Sequence, residues 1–383
     1  MIDPERFFEN MFRAGVRFAA GVPDSLLGEA CTWLADALPP DRHVIAANEG
    51  TAVALAVGHH LGTDRVPLVY LQNSGIGNAV NPLLSLAHPE VYAVPIAVLI
   101  GWRGEPDVPD EPQHRAQGRL TPALLDVLEV PFRIVDGASE AATLDAASWV
   151  VAEARKRSGP AALVIRRGVF RAARRTREAS PERALPLARE QAIERIVAAL
   201  GPDTFVVATT GMAGRELHEI RRRSGQNGAH DFLTVGSMGH ASQIALGIAL
   251  ARPDARVICL DGDGAALMHL GGLATIATSA PVGLVHVVLN NGAHDSVGGQ
   301  PTAGFAVRLT DVARACGYRT VVQVAHDAAS LDDALRDLRR APGPAFLEVR
   351  VALGARPDLG RPSGAPVDNK QRFMRALAGE DPA

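Results

Sequence analysis

The 383 residues are 47% apolar and 21% charged with a net charge of −3, the balance of a compact protein of about two ordinary domains. That slightly acidic balance gives no support for a nucleic-acid partner, which would need a basic face. The opening MIDPERFFENMFRAGVRF mixes acids and arginines where a secretory leader needs an apolar core, and no run reaches about 18 uncharged apolar residues, so neither export nor a membrane span is expected.

In chain order, strands are expected at Pro67–Leu71, Pro95–Trp102, Ala161–Arg167, Thr204–Thr209, Arg256–Leu260, Leu284–Leu289 and Ala345–Val351, with helix-like stretches between them. That alternation argues for an α/β fold of mainly parallel sheets flanked by helices. Two Ala/Leu-rich runs, Thr51–Leu61 and Ala241–Ala251, suit buried helices. The stretch FRAARRTREASPERALPLAR, from Phe170 to Arg189, is charged, holds two prolines and has no steady apolar period. It reads as a connection between domains, giving a division into 1–175, a linker 176–190, and 191–383. Cys31, Cys259 and Cys316 are few and scattered, as expected of reduced thiols in a cytoplasmic protein. The pentapeptide NGAHD occurs from Asn227 and again from Asn291; its flanks differ, so it reads as coincidence.

The sharpest local pattern lies in VICLDGDGAALMHLGGLATIATSAPVGLVHVVLNNGAHDSVGGQPT, from Val257. One apolar run ends in Asp261-Gly262-Asp263-Gly264 and the next in Asn290-Asn291-Gly292. Asp263 and Asn291 stand 28 residues apart, room for one helical crossover between neighbouring parallel strands. Both side chains then reach the carboxyl ends of those strands, where open α/β sheets bind ligands. A carboxylate and an amide oxygen suit a hard cation, and Mg²⁺ completes its shell with phosphate and water oxygens. Asp-Gly and Asn-Gly alone also make ordinary tight turns; their pairing at this spacing is what points to a site.

This arrangement resembles the GDG…NN signature of the thiamine-diphosphate (ThDP) dependent decarboxylases. The resemblance extends over nearly the whole chain: GVPDSLL from Gly21, NEG from Asn48, VYLQNSGIGNAVNPL from Val69, LIGWRGEP from Leu99 and DEPQH from Asp110. It continues through TTGMAGREL from Thr209, DFLTVGSMGHASQIALGIA from Asp231, NNGAHDSVGGQPT from Asn290 and DLGRP from Asp358. Within the family the similarity is greatest to the phosphonopyruvate decarboxylases and less to the sulfopyruvate decarboxylases. It implies a pyrimidine-binding domain followed by a diphosphate-binding domain, and decarboxylation of 3-phosphonopyruvate to phosphonoacetaldehyde and CO₂. The sulfonate analogue is the alternative substrate, and a non-catalytic ThDP-fold regulatory subunit a distant alternative.

By the same resemblance Asp263, Asn291 and the carbonyl of Ala293 hold Mg²⁺, while Gly262, Gly264, Ala265, Thr210 and His294 meet the cofactor. The Gly236 carbonyl receives the aminopyrimidine and Met238 wedges between the rings. Glu49, the only acid between Asp41 and Asp64, matches the family's activating carboxylate; a glutamate at a helix start is otherwise explained by the helix dipole. Asp24 and His114 are proton-transfer candidates, the first also readable as a helix cap, the second as a histidine in a polar, Pro-rich loop. Asn73 and Ser74, at the end of a strand, and Arg103 and Arg361, in family-like loops, are candidates for the substrate, since a phosphonate suits the guanidinium fork. The expected partner besides the 2-oxo acid is a second copy of the chain, in a homodimer or larger homo-oligomer with active sites at the subunit interface.

Overall fold

In the strand Leu68–Gln72, Leu68 and Tyr70 enter one apolar cluster while Val69 and Leu71 enter another. A strand apolar on both faces is what a parallel sheet covered on both sides requires. The computed structural model describes residues 1–173, 185–199, 201, 203–362 and 364–380. They form two units, Met1–Ser180 and Pro181–Ala383.

The first unit carries β1 (Ala19–Gly21), β2 (His43–Ile45), β3 (Leu68–Gln72), β4 (Ile96–Gly101), β5 (Phe132–Val135) and β6 (Pro160–Ile165), in the order β2-β1-β3-β4-β6-β5. Every pairing is parallel. The second carries β7 (Thr204–Ala208), β8 (Asp231–Leu233), β9 (Arg256–Gly262), β10 (Leu284–Asn290), a small hairpin of β11 (Ala293–His294) and β12 (Gln300–Pro301), then β13 (Thr320–Val321) and β14 (Ala345–Arg350). Its main sheet runs β13-β14-β10-β9-β7-β8, again all parallel. With the main-sheet strands of each unit counted from its own start, both orders read 2-1-3-4-6-5. The order reverses between the first and third strands, the switch point at which such sheets open a crevice for ligands.

Each expected strand is present within two residues of its bounds. The strands the sequence did not announce are mostly the short ones, β1, β2, β8 and β13. The helix expected at Ala241–Ala251 has those bounds, but it too is buried on one face only, with Leu250 52% exposed on the other. The run Thr51–Leu61 lies in a helix Glu49–Thr63, but only its Ala52, Val53, Ala56 and Val57 face is buried. Leu61 on the other face is 74% exposed, so this helix is one-sided and not buried all round. Of the expected linker, residues 176–184 lie outside the described residues; Leu187 is already core and Arg189–Ala199 is a helix. Among the described residues no helix is long and apolar enough to cross a membrane.

Candidate active site

In the first unit the chain leaves β1 through Val22-Pro23 to Asp24, which is fully buried. Its Oδ2 accepts the amides of Leu26 (3.0 Å) and Leu27 (3.2 Å), tying the turn into the helix Gly28–Ala37. Its Oδ1 is buried and has no partner among the described residues. Asp24 is therefore a cap with one oxygen and an unengaged carboxyl oxygen with the other. Burial pushes it up to about 6, against the downward pull of those amides and of Arg103. It fits only because β4 ends in Gly101, where a Cβ would overlap Asp24 Oδ2.

His114 is in the first turn of the helix Pro112–Val127, not in a loop as its Pro-rich surroundings implied. Its Nδ1 is buried and unpartnered among the described residues. Burial, with the Arg103 charge next, lowers it to about 4, so the ring is neutral at neutral pH. Arg103 departs from the expectation of a substrate fork. Its Nε donates to Asp110 Oδ2 at 2.8 Å, its Nη2 to Asp110 Oδ1, and its Nη1 to Ser25 Oγ at 2.8 Å. Burial acts upward on Asp110, yet the bonds from Arg103 and Gly104 hold it at about 2.

Asn73 also departs from expectation: its Nδ2 donates to Arg103 O (2.9 Å) and Thr121 Oγ1 (2.9 Å), and its Oδ1 accepts the Arg103 amide (3.0 Å). Both amide hydrogens are engaged within the fold, leaving none for a ligand. The Ser74 hydroxyl accepts from Gln72 Nε2.

Glu49 opens the helix Glu49–Thr63, whose amides Asn48 caps through Thr51 (2.9 Å). The Glu49 side chain is buried, and a Cβ at Gly75 would overlap its Oε1. Its Oε2 accepts Asn78 Nδ2 at 2.7 Å. Burial raises this carboxyl and the Asn78 bond pulls it back. Sequence reasoning missed Asn78, which lies 29 positions from its acid. Asp24, Asn73, Arg103 and His114 thus gather around the ends of β1, β3 and β4, with Glu49 at the helix after β2.

In the second unit the register Leu289↔Gly262 brings Asp263 level with the end of β10. The Asn291 amide donates to Asp263 Oδ1 at 3.4 Å, and the Thr302 hydroxyl donates to Oδ2. A Cβ at Gly304 would overlap that same Oδ2. Asp263 is 2% exposed and burial pushes it up to about 6. Among the described residues no ion pair involves it, so a bound cation would supply the charge its burial calls for. The two asparagines divide their work. Asn291 Oδ1 accepts the Ala293 amide at 3.1 Å. Asn290, fully buried, donates to Gly304 O and Glu348 Oε1 (2.8 Å each) and accepts the Gly292 amide (3.1 Å). Carboxylate, amide oxygen and backbone carbonyl form an all-oxygen donor set, which fits Mg²⁺.

Gly236, Ser237 and Gly239 all have positive φ (67°, 45° and 84°), a sharp turn that presents Met238. Thr210 Oγ1 accepts the Gly236 amide at 3.1 Å, joining the turns after β7 and β8. A Cβ at Gly264 would lie 3.2 Å from the His294 ring and 3.3 Å from Met238 Cε. Gly264, Met238 and His294 therefore meet in one cradle, with Ala265 buried beside them. Burial lowers His294 to about 4. Arg361 is exposed in the stretch after β14. Asp261, the other acid of the Asp-Gly-Asp motif, has no exposure and pairs with buried His286 at 3.2 Å, whose other nitrogen meets Tyr318 Oη. It braces the core.

Residues 5–130 match the family described as "Thiamine pyrophosphate enzyme, N-terminal TPP binding domain", and residues 209–349 match "Thiamine pyrophosphate enzyme, C-terminal TPP binding domain". The chain is similar to phosphonopyruvate decarboxylase of Streptomyces viridochromogenes, at 39% identity over 96% of this chain and 93% of that protein. It is similar to phosphonopyruvate decarboxylase of Streptomyces hygroscopicus at 38% over 100% and 96%. Similarity to sulfopyruvate decarboxylase of Methanosarcina acetivorans is 27% over 98% of each chain.

Proposed function

The chain belongs to the thiamine-diphosphate-dependent decarboxylases, lyases of 2-oxo acids, and on that premise we propose that it is a Mg²⁺-requiring enzyme converting 3-phosphonopyruvate to phosphonoacetaldehyde and CO₂. The observation that carries the substrate is the margin in identity: 39% and 38% to the two Streptomyces proteins against 27% to the Methanosarcina protein, each over nearly the full chain. Asp263, Asn291 and the Ala293 carbonyl would hold the metal. Thr210, Gly262, Gly264 and Ala265 would lie along the diphosphate, the Gly236 carbonyl and Met238 against the rings, and His294 over them.

When bound, ThDP supplies a carbon nucleophile and a sink for the electron pair that CO₂ leaves behind. The chain's own groups position and move protons. Glu49, raised by burial, is suited to give a proton to a ring nitrogen and take it back. Asp24, pushed up to about 6 by burial and with its Oδ1 unpartnered among the described residues, is the candidate to hand a proton to the product carbon, and neutral His114, whose Nδ1 is likewise unpartnered, is the candidate to accept or relay one. Arg103, fixed on Asp110, contributes charge near both of them, and Arg361 is the candidate to meet the phosphonate. Asn73 acts on the turn it clamps.

The protein works as a homodimer or larger homo-oligomer, each site using the first half of one chain and the second half of its neighbour. Support comes from the exposed small and apolar stripe of Ala54, Leu55, Gly58 and Leu61 on the helix that Glu49 opens. The three cysteines are free, in keeping with a reducing cytoplasm. Turnover of a panel of 2-oxo acids with ThDP and Mg²⁺ tests the reading. One lost charge-assisted contact corresponds to roughly 10–150-fold, so kcat/KM should fall at least that far from phosphonopyruvate to pyruvate, with sulfopyruvate between. Equal efficiency on pyruvate removes the phosphonate reading, and a preference for sulfopyruvate installs the alternative.

A further inference from the structure

Behind the second unit's site a single arginine joins three segments. Arg189, the first residue of the helix Arg189–Ala199, is 6% exposed. Its Nε and Nη2 form a fork on Glu216 (2.8 and 3.0 Å), its Nη1 donates to Asp295 Oδ2 at 2.8 Å, and its Nη2 reaches Gly354 O at 3.3 Å. The Gly354 amide returns to the same Asp295 oxygen at 3.2 Å. Glu216 belongs to the helix Met212–Arg223, which starts directly after Thr209-Thr210-Gly211. Asp295 directly follows Ala293-His294. The two turns lie close together: a Cβ built on Gly211 would come within 3.7 Å of Ser296. One guanidinium therefore joins the helix that follows the turn after β7, the loop after β10 and the segment after β14.

Neither carboxylate could stay in place alone. Buried Glu216 and half-buried Asp295 repel when brought to one point, and a planar, permanently charged fork satisfies both while also reaching a carbonyl. We propose that Arg189 is a positioning residue for the cofactor: by holding Glu216 and Asp295 together it sets the spacing between the Thr209–Gly211 turn and the Asn291–His294 loop, which must close on the diphosphate and its metal. The proposal rests on the ThDP reading above. It assigns no contact between Arg189 and the cofactor; the residue acts through Asp295 and Glu216.

The molecule contains its own control. Arg221, at the far end of the same helix, forks onto buried Asp231 at 2.8 and 2.9 Å, and Asp231 closes the other NGAHD pentapeptide, so a second, partly buried fork exists that does not reach Asp295. The affinity for ThDP at fixed Mg²⁺, read by calorimetry, and the unfolding temperature are measured for the wild type, Arg189→Met, Arg189→Lys, Asp295→Asn and Arg221→Met. Loss of charge-assisted hydrogen bonds corresponds to roughly 10–150-fold, so Arg189→Met should raise the ThDP Kd by about that factor, with Arg189→Lys between. At saturating cofactor its kcat should return to within a few-fold of wild type. Arg221→Met should lower the unfolding temperature comparably with little change in ThDP Kd. An unchanged Kd in Arg189→Met, or an equal rise in Arg221→Met, overturns the proposal. Should Arg189→Met not fold, Asp295→Asn keeps the shape and removes one charge, and wild-type ThDP affinity there overturns it equally. Failure of the wild type to bind ThDP would instead remove the functional reading beneath it.

Discussion

Asn73 and Asp263 stand at the same place in two sheets of the same strand order, each directly after the third strand of its unit. Both accept a backbone amide from the residues after the neighbouring fourth strand: Arg103 to Asn73 at 3.0 Å, Asn291 to Asp263 at 3.4 Å. The side chains differ in one terminal atom. The amide nitrogen of Asn73 turns to Arg103 O and Thr121, which closes the clamp within the fold. The carboxylate of Asp263 cannot donate, keeps acceptor capacity and carries a buried charge. The earlier strands show the opposite assignment. Asp24 and Glu49 follow the first two strands of the first unit, where the second unit has Thr210 and Met238. On the function proposed above, one scaffold would serve proton transfer or cation binding according to which strand end receives the acid.

That contrast is open to direct attack, because acids of the first unit should govern rate and the acid of the second should govern binding. Glu49→Gln is expected to lower turnover by roughly 10²–10⁴-fold, the usual weight of a proton-transfer group, while ThDP affinity changes little. Steady-state kinetics showing more than about a tenth of wild-type turnover would strip Glu49 of its role.

Asp263→Asn gives the second unit the amide of the first. The fold should persist by circular dichroism, and ThDP affinity in Mg²⁺ should fall by roughly 10–150-fold, the loss expected for one charged contact. Titration at wild-type affinity would end the assignment of the metal carboxylate. In the reverse exchange, Asn73→Asp, the Thr121 and Arg103 carbonyl contacts lose their donor, and denaturant unfolding should show a loss of about 1–3 kcal/mol with no new metal binding.

The last effect concerns Asp24, and its sign follows from burial. Its carboxyl stands at about 6 in the fold against 3.8 ordinarily. Between those values the folded chain binds more protons than the unfolded one. Stability therefore falls as pH rises from 3.8 to about 6 and stays lower above it. Asp24→Asn removes this penalty and keeps an oxygen for the Leu26 and Leu27 amides. The variant should be less active yet more stable by ~2–3 kcal/mol above pH 6, at 1.36 kcal/mol per pKa unit, the advantage vanishing below pH 4. Melting at both ends of the range checks this, and a difference independent of pH would contradict it.

Much of the fold was legible because central parallel strands are continuous apolar runs. Three-residue strands such as Ala19–Gly21 have no period to read, and their place comes from their partners. Asp263 and Asn291 were legible because each follows such a run directly. The helix at Pro112 was read as a loop, although proline is at home in the first turn of a helix. The sequence around Arg103 suits a substrate fork equally well, because nothing in it marks Asp110, seven positions on, as the partner that occupies the guanidinium. Asn78, Thr302 and Arg189 meet Glu49, Asp263 and Asp295 across 29, 39 and 106 positions. Strand order sets those meetings, and no local pattern carries it.

Each of the three acids that matter most rests against a glycine: Asp24 on Gly101, Glu49 on Gly75, Asp263 on Gly304. Anyone grafting this chemistry onto another scaffold would have to transplant pairs, because the carboxyl group occupies the room its glycine leaves. The same dependence runs backwards: Gly75→Ala alters no titratable atom, yet it would evict the Glu49 carboxyl from its seat. A residue without a side chain thus fixes the address of a reactive one, and an inventory of reactive groups alone would copy the acids and leave their seats behind.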